Sequence, residues 1–326
     1  MSLRILFIGG TGQISQSCVE HAVSAGHQVS VFNRGKRGEA LPSGVASIVG
    51  DLDGPEYAGL AGHNFDVVAQ FIAFRPEQVK RDIEIFRGHC GQYVFVSSAS
   101  VYEKPASHYV ITEQTPAINP YWRYSQDKIA CENLLLAEGE LRWTIVRPSH
   151  TVRTGLPIMI GDSDVMARRM LDGEPTIVAG DGHTPWTLTR SKDFAVPFVG
   201  LFGKEGALGE TFHITNDRAH VWDDIQTAIA QALGVEAKIV HVPTDTLIRY
   251  IPEWEGPLVG DKAWSAIFDN SKVKRIAGDF SCAEDLQTIL EEPIKHLKSR
   301  LAVKRPERGQ FDELVDRICR EQAALG

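Results

Sequence analysis

The sequence is short of most features that mark a secreted, metal-binding or membrane-embedded chain. Its 326 residues hold five cysteines, Cys18, Cys90, Cys131, Cys282 and Cys319, widely scattered and without a Cys-x-x-Cys pair. An odd, dispersed set does not build a disulfide framework and points instead to a reduced, cytoplasmic setting. None of the eleven histidines falls in a His-x-x-x-His or His-Glu-x-x-His pattern, so no dedicated metal site is expected. Long apolar runs are missing too. The stretch Leu3-Arg4-Ile5-Leu6-Phe7-Ile8 is far too short for a signal peptide or a membrane span. Basic residues are in the minority, 34 Lys plus Arg against 42 Asp plus Glu, for a formal net charge of -8. A polyanion-binding surface would have to be built locally against that field, so nucleic acid is not the expected partner.

What is present is an ordinary globular balance, 43% hydrophobic and 23% charged, which excludes disordered and fibrous classes. The length suits a main domain with a smaller one appended. Strand-like and helix-like segments alternate through the first half. Residues 3–8 read as a strand ended by Gly9-Gly10-Thr11-Gly12, and residues 13–25 as a helix closing at Gly26. Further strands are expected at 28–32, 45–49, 65–71 and 93–96, with a helix from Pro76 to about Arg87. Strands that are apolar on both faces and separated by helices predict an α/β fold with a helix-covered parallel sheet. Residues 99–120 lack periodicity and carry Pro105, Pro116 and Pro120, so they read as a loop. A helix from about Tyr121 to Ala137 and a strand at 143–146, halted by Pro148, complete this half. Beyond residue 150 the pattern is irregular, with helices expected at 163–172, 191–202, 221–232, 283–301 and 309–323.

The glycine turn stands between a strand and a helix, the context that lets a backbone approach a pyrophosphate at the positive end of a helix. That assigns Gly9, Gly10, Thr11, Gly12, Gln13 and Ile14 to a dinucleotide, with Ser15 in place of the usual third glycine. The second strand ends in Phe32-Asn33-Arg34-Gly35-Lys36-Arg37, with no carboxylate until Glu39. A cofactor with a 2′-phosphate, held by Asn33 and Arg34 with help from Lys36 or Arg37, fits better than one with a free ribose hydroxyl. NADP(H) is therefore favoured over NAD(H). Asp51 and Leu52, after the third strand, are placed to meet the adenine.

Tyr124 and Lys128 share one helix face at i and i+4, and Ser97-Ser98-Ala99-Ser100-Val101-Tyr102 follows the fifth strand at the carboxyl edge of the sheet. These types suit hydride transfer at a carbinol carbon. A phenol of ordinary pKa must be moved by about 4 kcal/mol to exchange a proton near neutrality. A neighbouring ammonium and the positive nicotinamide can supply that. Lys128 can also hold the nicotinamide ribose, and Ser98 can hold the reacting oxygen in line with Tyr124. Tyr102, His108, Tyr109, His150 and Trp186 are candidates for a substrate pocket.

The ordered set Gly-Gly-Thr-Gly, Ser-Ser-Ala-Ser-Val-Tyr, Tyr124-x-x-x-Lys128 and Arg147-Pro148 resembles the extended short-chain dehydrogenase/reductase superfamily, its NAD-dependent epimerase/dehydratase group. Glu113, Pro116 and Pro120 resemble that family's lead-in to the catalytic helix. The resemblance implies a Rossmann doubly wound sheet over residues 1–150 and a smaller α/β substrate domain over 151–326. Segments near 187–216 are candidates to return to the first domain. It implies catalytic roles for Ser98, Tyr124 and Lys128, with Phe71, Ile72, Pro148 and His150 near the cofactor and Ser100, Tyr102 and Trp186 near the substrate. A homodimer is a family expectation. Trp186 stands where nucleotide-sugar enzymes place an arginine on the diphosphate, so a small sugar-like or polyol substrate is expected instead. Several features look closest to an atypical branch that includes chloroplast stem-loop RNA-binding proteins, whose members tend to lose the tyrosine kept here. The alternative to an oxidoreductase, epimerase or dehydratase is thus a non-catalytic nucleotide-sensing or RNA-binding protein on the same fold.

Overall fold

A computed structural model describes residues 2–36 and 41–324. Its centre is a seven-stranded parallel sheet. Six strands come from the first half of the chain: β1 (Arg4–Ile8), β2 (Gln28–Asn33), β3 (Ala46–Val49), β4 (Phe65–Gln70), β5 (Cys90–Val96) and β6 (Trp143–Pro148). The seventh, Glu210–Ile214, pairs in parallel with β6, more than sixty residues later in the chain. Across the sheet the order is Glu210–Ile214, β6, β5, β4, β1, β2, β3. The order reverses between β1 and β4, and such folds open their ligand crevice at the carboxyl ends of strands at that point.

Helices cover both faces. On one side α1 (Ser15–Ser24) and, later in the chain, Ser191–Gly200 pack over β1, with Phe7, Phe194, Phe198 and Val31 in one core cluster. On the other, α2 (Pro55–Ala58), α3 (Pro76–Phe86) and α4 (Arg123–Leu136) enclose Leu6, Tyr57, Phe86, Phe95 and Leu135. Strands buried from both sides need apolar residues at successive positions, which is why β1 and β6 read as continuous runs rather than alternating ones. β6 ends at Pro148, as expected from the sequence. That residue lies opposite Ile214, near the sheet edge where a missing N–H is tolerated.

The remaining chain forms a second, mainly helical layer with its own core around Trp186, Trp222, Ile225 and Leu290. Short parallel pairings tie it together: Thr176–Ala179 with Ile239–Val242, and His150–Val152 with Leu188–Arg190. The last helix, Gln310–Ala323, docks through an apolar face, Val315 and Ile318, and through charge. The wholly buried guanidinium of Arg169 donates to Asp312 at 2.9 Å and Asp316 at 2.6 Å. Among the described residues no helix is long and apolar enough to cross a membrane, and no cluster of His, Cys, Asp and Glu could hold a metal ion.

Candidate active site

The turn after β1 is as tight as its glycines allow. Gly9 has φ +87°, and a Cβ there would lie 2.4 Å from a methyl of Ile72. A Cβ on Gly10 would come within 2.8 Å of both Val31 methyls. Ser15 fills the place of the third glycine by adding bonds rather than by leaving space. Its buried Oγ donates to the Gly9 carbonyl at 2.5 Å and accepts the Gly12 amide at 2.8 Å. α1 then starts at Ser15 with no side-chain cap. Uncapped first-turn amides and the helix dipole make this end a fitting seat for phosphate oxygens.

A cleft of about 400 Å³ runs from that turn along the switch point. Of the residues expected there from sequence, Gly9, Thr11, Gly12, Gln13, Ile14, Asn33, Arg34, Lys36, Phe71 and Ile72 line it, as do Ser98, Tyr124, Lys128 and Pro148. Asn33 shapes the far bend by accepting the Gly35 amide at 2.8 Å. The Arg34 guanidinium is exposed at the cleft and has no hydrogen-bond or ion-pair partner among the described residues. Gln13 ties the turn to the later chain, since its Oε1 accepts from the Thr154 amide at 3.1 Å and hydroxyl at 2.7 Å. A glycine turn, an uncapped helix start and a free guanidinium at the end of β2 together fit a dinucleotide.

Other expected residues lie off the cleft. Gly10 packs beneath the turn rather than along the cleft. Asp51 and Leu52 do not line it: Leu52 is buried in the core with Phe32 and Tyr57, and Asp51 turns back to accept the Asp53 amide at 3.0 Å. Tyr102 is no pocket residue. It is fully buried, its hydroxyl bonded to Nδ1 of His213 at 3.0 Å and its ring under the Arg147 guanidinium. His108 and Tyr109 stack on each other at the exposed surface. Arg37 and Glu39 lie outside the described residues.

Tyr124 and Lys128 rise from α4 into the cleft. Lys128 is 1% exposed, with Nζ donating to the carbonyls of Ala73 and Val96 at 2.8 Å each and lying between the rings of Phe74 and Phe95. Burial lowers its pKa to about 8. The phenol of Tyr124 is held above its ordinary value by burial and by the Asp261 carboxylate, while a hydrogen bond with Ser98 pulls it down. The Lys128 ammonium spends two of its three donors on the Ala73 and Val96 carbonyls. Ser98 itself belongs to a serine chain: its Oγ meets Ser100 Oγ at 2.9 Å, which accepts from Ser125 at 2.8 Å.

Beyond Tyr124 lies a second chamber of about 260 Å³, and Ser98, Tyr124 and Ser149 form the wall that it shares with the cleft. Here, and not in the cleft, sits His150, together with Ser100 and Trp186. Trp186 stacks on Trp222 at 5.3 Å and donates its indole N–H to His150 Nδ1 at 2.9 Å. Sequence reading missed three charged residues of this chamber, Lys104, Asp261 and Lys262. Asp261 and Lys262 close a π-helical turn, Leu258–Lys262, that presses on Trp122, whose ring in turn lies 4.9 Å from that of Tyr124. The one available signal was Gly256 and Gly260, whose Cβ atoms would fall 2.4 and 2.8 Å from Trp122.

Residues 9–157 match the NAD(P)H-binding family. Along the sequence the chain is 25% identical over 286 residues to 2'-dehydrokanamycin reductase of Streptomyces kanamyceticus, covering 86% of this chain and 80% of that protein. It is 29% identical over 255 residues to the chloroplast stem-loop binding protein of 41 kDa b of Arabidopsis thaliana. That match covers 73% of this chain but only 65% of the relative, less than two thirds of its length. In fold it is similar to an epimerase of Methanothermobacter thermautotrophicus, with a TM-score of 0.76 and 15% identity, covering 93% of this chain and 94% of that one. It is also similar to MoeE5, solved with UDP-glucose and NAD, with a TM-score of 0.70 and 20% identity, covering 91% and 99%.

Proposed function

We propose that this chain is an NADP-dependent oxidoreductase of the extended short-chain dehydrogenase/reductase type, acting on a small sugar-like or polyol substrate, a reading supported by its NAD(P)H-binding match and its likeness to a reductase. The observation that carries this reading is the shared wall: Tyr124 and Ser98 face the dinucleotide cleft on one side and the polar chamber on the other. When bound, the nicotinamide supplies or accepts the hydride. All other work falls to the chain. The amides of the glycine turn and the start of α1 hold the pyrophosphate, and Arg34 pairs with the 2′-phosphate. Lys128, pinned by Ala73 and Val96, keeps one proton for the nicotinamide ribose hydroxyls. Ser98 donates to the substrate oxygen and holds it against the Tyr124 hydroxyl.

A phenol raised by burial is a proton donor at neutral pH, so its natural step is to protonate the alkoxide oxygen as the carbonyl carbon gains hydride. The same group takes the proton back in the reverse step, and an epimerase or dehydratase would use both transiently. The test is a single substitution. Tyr124→Phe is expected to cut NADPH-dependent reduction by about 10²-fold or more while leaving NADPH affinity within a few-fold. Turnover near the wild-type rate in that variant would remove the phenol from the mechanism.

A further inference from the structure

We propose that the chamber beyond Tyr124 takes a monosaccharide-sized substrate bearing an anionic group, and that Lys104 is the residue that reads that group. The inference rests on the oxidoreductase reading above and deepens it. The side chain of Lys104 is 2% exposed, and its Nζ stands 3.6 Å from Asp261 Oδ1. Among the described residues that carboxylate is the only acceptor offered to it. An ammonium carries three donors, and those that Asp261 does not take are left for an acceptor in the chamber that Lys104 lines.

The other charges of the chamber leave the same vacancy for an anion. Lys262 gives Nζ to the carbonyls of Ile158 at 3.0 Å and Met159 at 3.1 Å, and so brings a second buried positive charge without a carboxylate of its own. His150 is neutral, because the Trp186 indole occupies its Nδ1 as a donor. Two ammoniums face one carboxylate, so the chamber carries a net positive charge. An amino sugar would add a third ammonium there. A neutral sugar could accept from Lys104 but would leave the excess charge uncompensated. A carboxylate or a phosphate ester answers both needs, as a charge-assisted acceptor for Lys104. The volume, about 260 Å³, suits a single sugar ring rather than a nucleoside diphosphate.

The test is calorimetric titration of the NADPH-loaded protein with D-glucuronate, D-galacturonate and D-glucose 6-phosphate, against D-glucose and D-glucosamine. At least one acidic sugar is expected to bind tenfold or more tightly than D-glucose. Whether the uronates or the phosphate ester lead then identifies the anion. Lys104→Met should erase the preference, and so should Lys104→Gln, which keeps a hydrogen-bond donor for Asp261 and guards against misfolding of the Met variant. Equal binding of D-glucose or D-glucosamine, absence of binding by every acidic probe, or a preference that survives both variants would overturn the proposal. A prior titration with NADPH alone separates these outcomes from failure of the cofactor reading, which would show as no NADPH binding at all.

Discussion

The indole N–H of Trp186 points at Nδ1 of His150 across 2.9 Å, and that one bond settles the chemistry of the imidazole. An indole nitrogen only donates, so Nδ1 must accept and the ring proton must sit on Nε2. Burial, with the nearby Lys262 charge, lowers the His150 pKa to about 3. His150 therefore lines the chamber beyond Tyr124 as a neutral hydrogen-bond donor. Nitrogen-15 spectra should show it as the Nε2–H tautomer, unchanged from about pH 5 to about pH 9, a range in which an ordinary histidine titrates. Trp186→Phe should release the tautomer. A titration midpoint near neutrality in the wild-type protein would contradict the assignment.

Arg34 has no partner within the described chain, so its pairing energy is available to a ligand. Removing one charge-assisted contact is worth about 1.5–3 kcal/mol, roughly a 10- to 100-fold change in affinity. Fluorescence titration should show Arg34→Ala losing that much affinity for NADPH and only a few-fold for NADH. Equal losses would mean that the guanidinium does not read a 2′-phosphate.

Lys128 gives a pH signature. Its pKa is lowered from 10.5 to about 8, so the ammonium is complete at acid pH and is lost as pH rises through that value. If its remaining proton holds the nicotinamide ribose, NADPH affinity should fall as pH rises above about 8, with a single inflection, and Lys128→Met should bind weakly and without that inflection. An inflection that persists in Lys128→Met would assign the titration to another group.

Behind the cleft wall, Asp82 accepts from the hydroxyls of Tyr57 and Tyr93, both at 2.5 Å, and from Gln70 Nε2 at 2.7 Å. Gln70 Oε1 in turn takes the amides of Ile72 and Ala73, the loop on which Lys128 rests. Burial raises Asp82 from 3.8 to about 6 despite these donors. The folded state thus keeps a proton that the unfolded chain has already released, and the stability this contributes at low pH fades as pH rises to 6. The span is about 3 kcal/mol. Urea unfolding should show Asp82→Asn gaining on the wild type by about 2–3 kcal/mol between about pH 4 and about pH 7. A difference independent of pH would contradict the shift.

Local spacing carried most of what could be read before the fold was known. The glycine turn, the Tyr124–Lys128 pair and the serine run after β5 are signals within single elements, and each occupies the cleft. Tertiary packing decided the rest. Tyr102 has the composition of a pocket residue, but His213, from a strand more than one hundred positions away, claims its hydroxyl. Asp51 and Leu52 follow the right strand, yet the chain turns inward there and buries the leucine. Lys104 stands in an aperiodic loop, and Asp261 and Lys262 in a π-helical turn with no sequence pattern. They meet only because Gly256 and Gly260 allow that turn to close over Trp122.

The most direct test of the central claim is the crystal structure with NADP+ bound. The account predicts the pyrophosphate over the start of α1, the 2′-phosphate on Arg34, and nicotinamide C4 facing the chamber within about 4 Å of where a substrate carbon bonded through Ser98 and Tyr124 would lie. A nicotinamide directed away from Tyr124, or a cofactor seated anywhere but in this cleft, would contradict it.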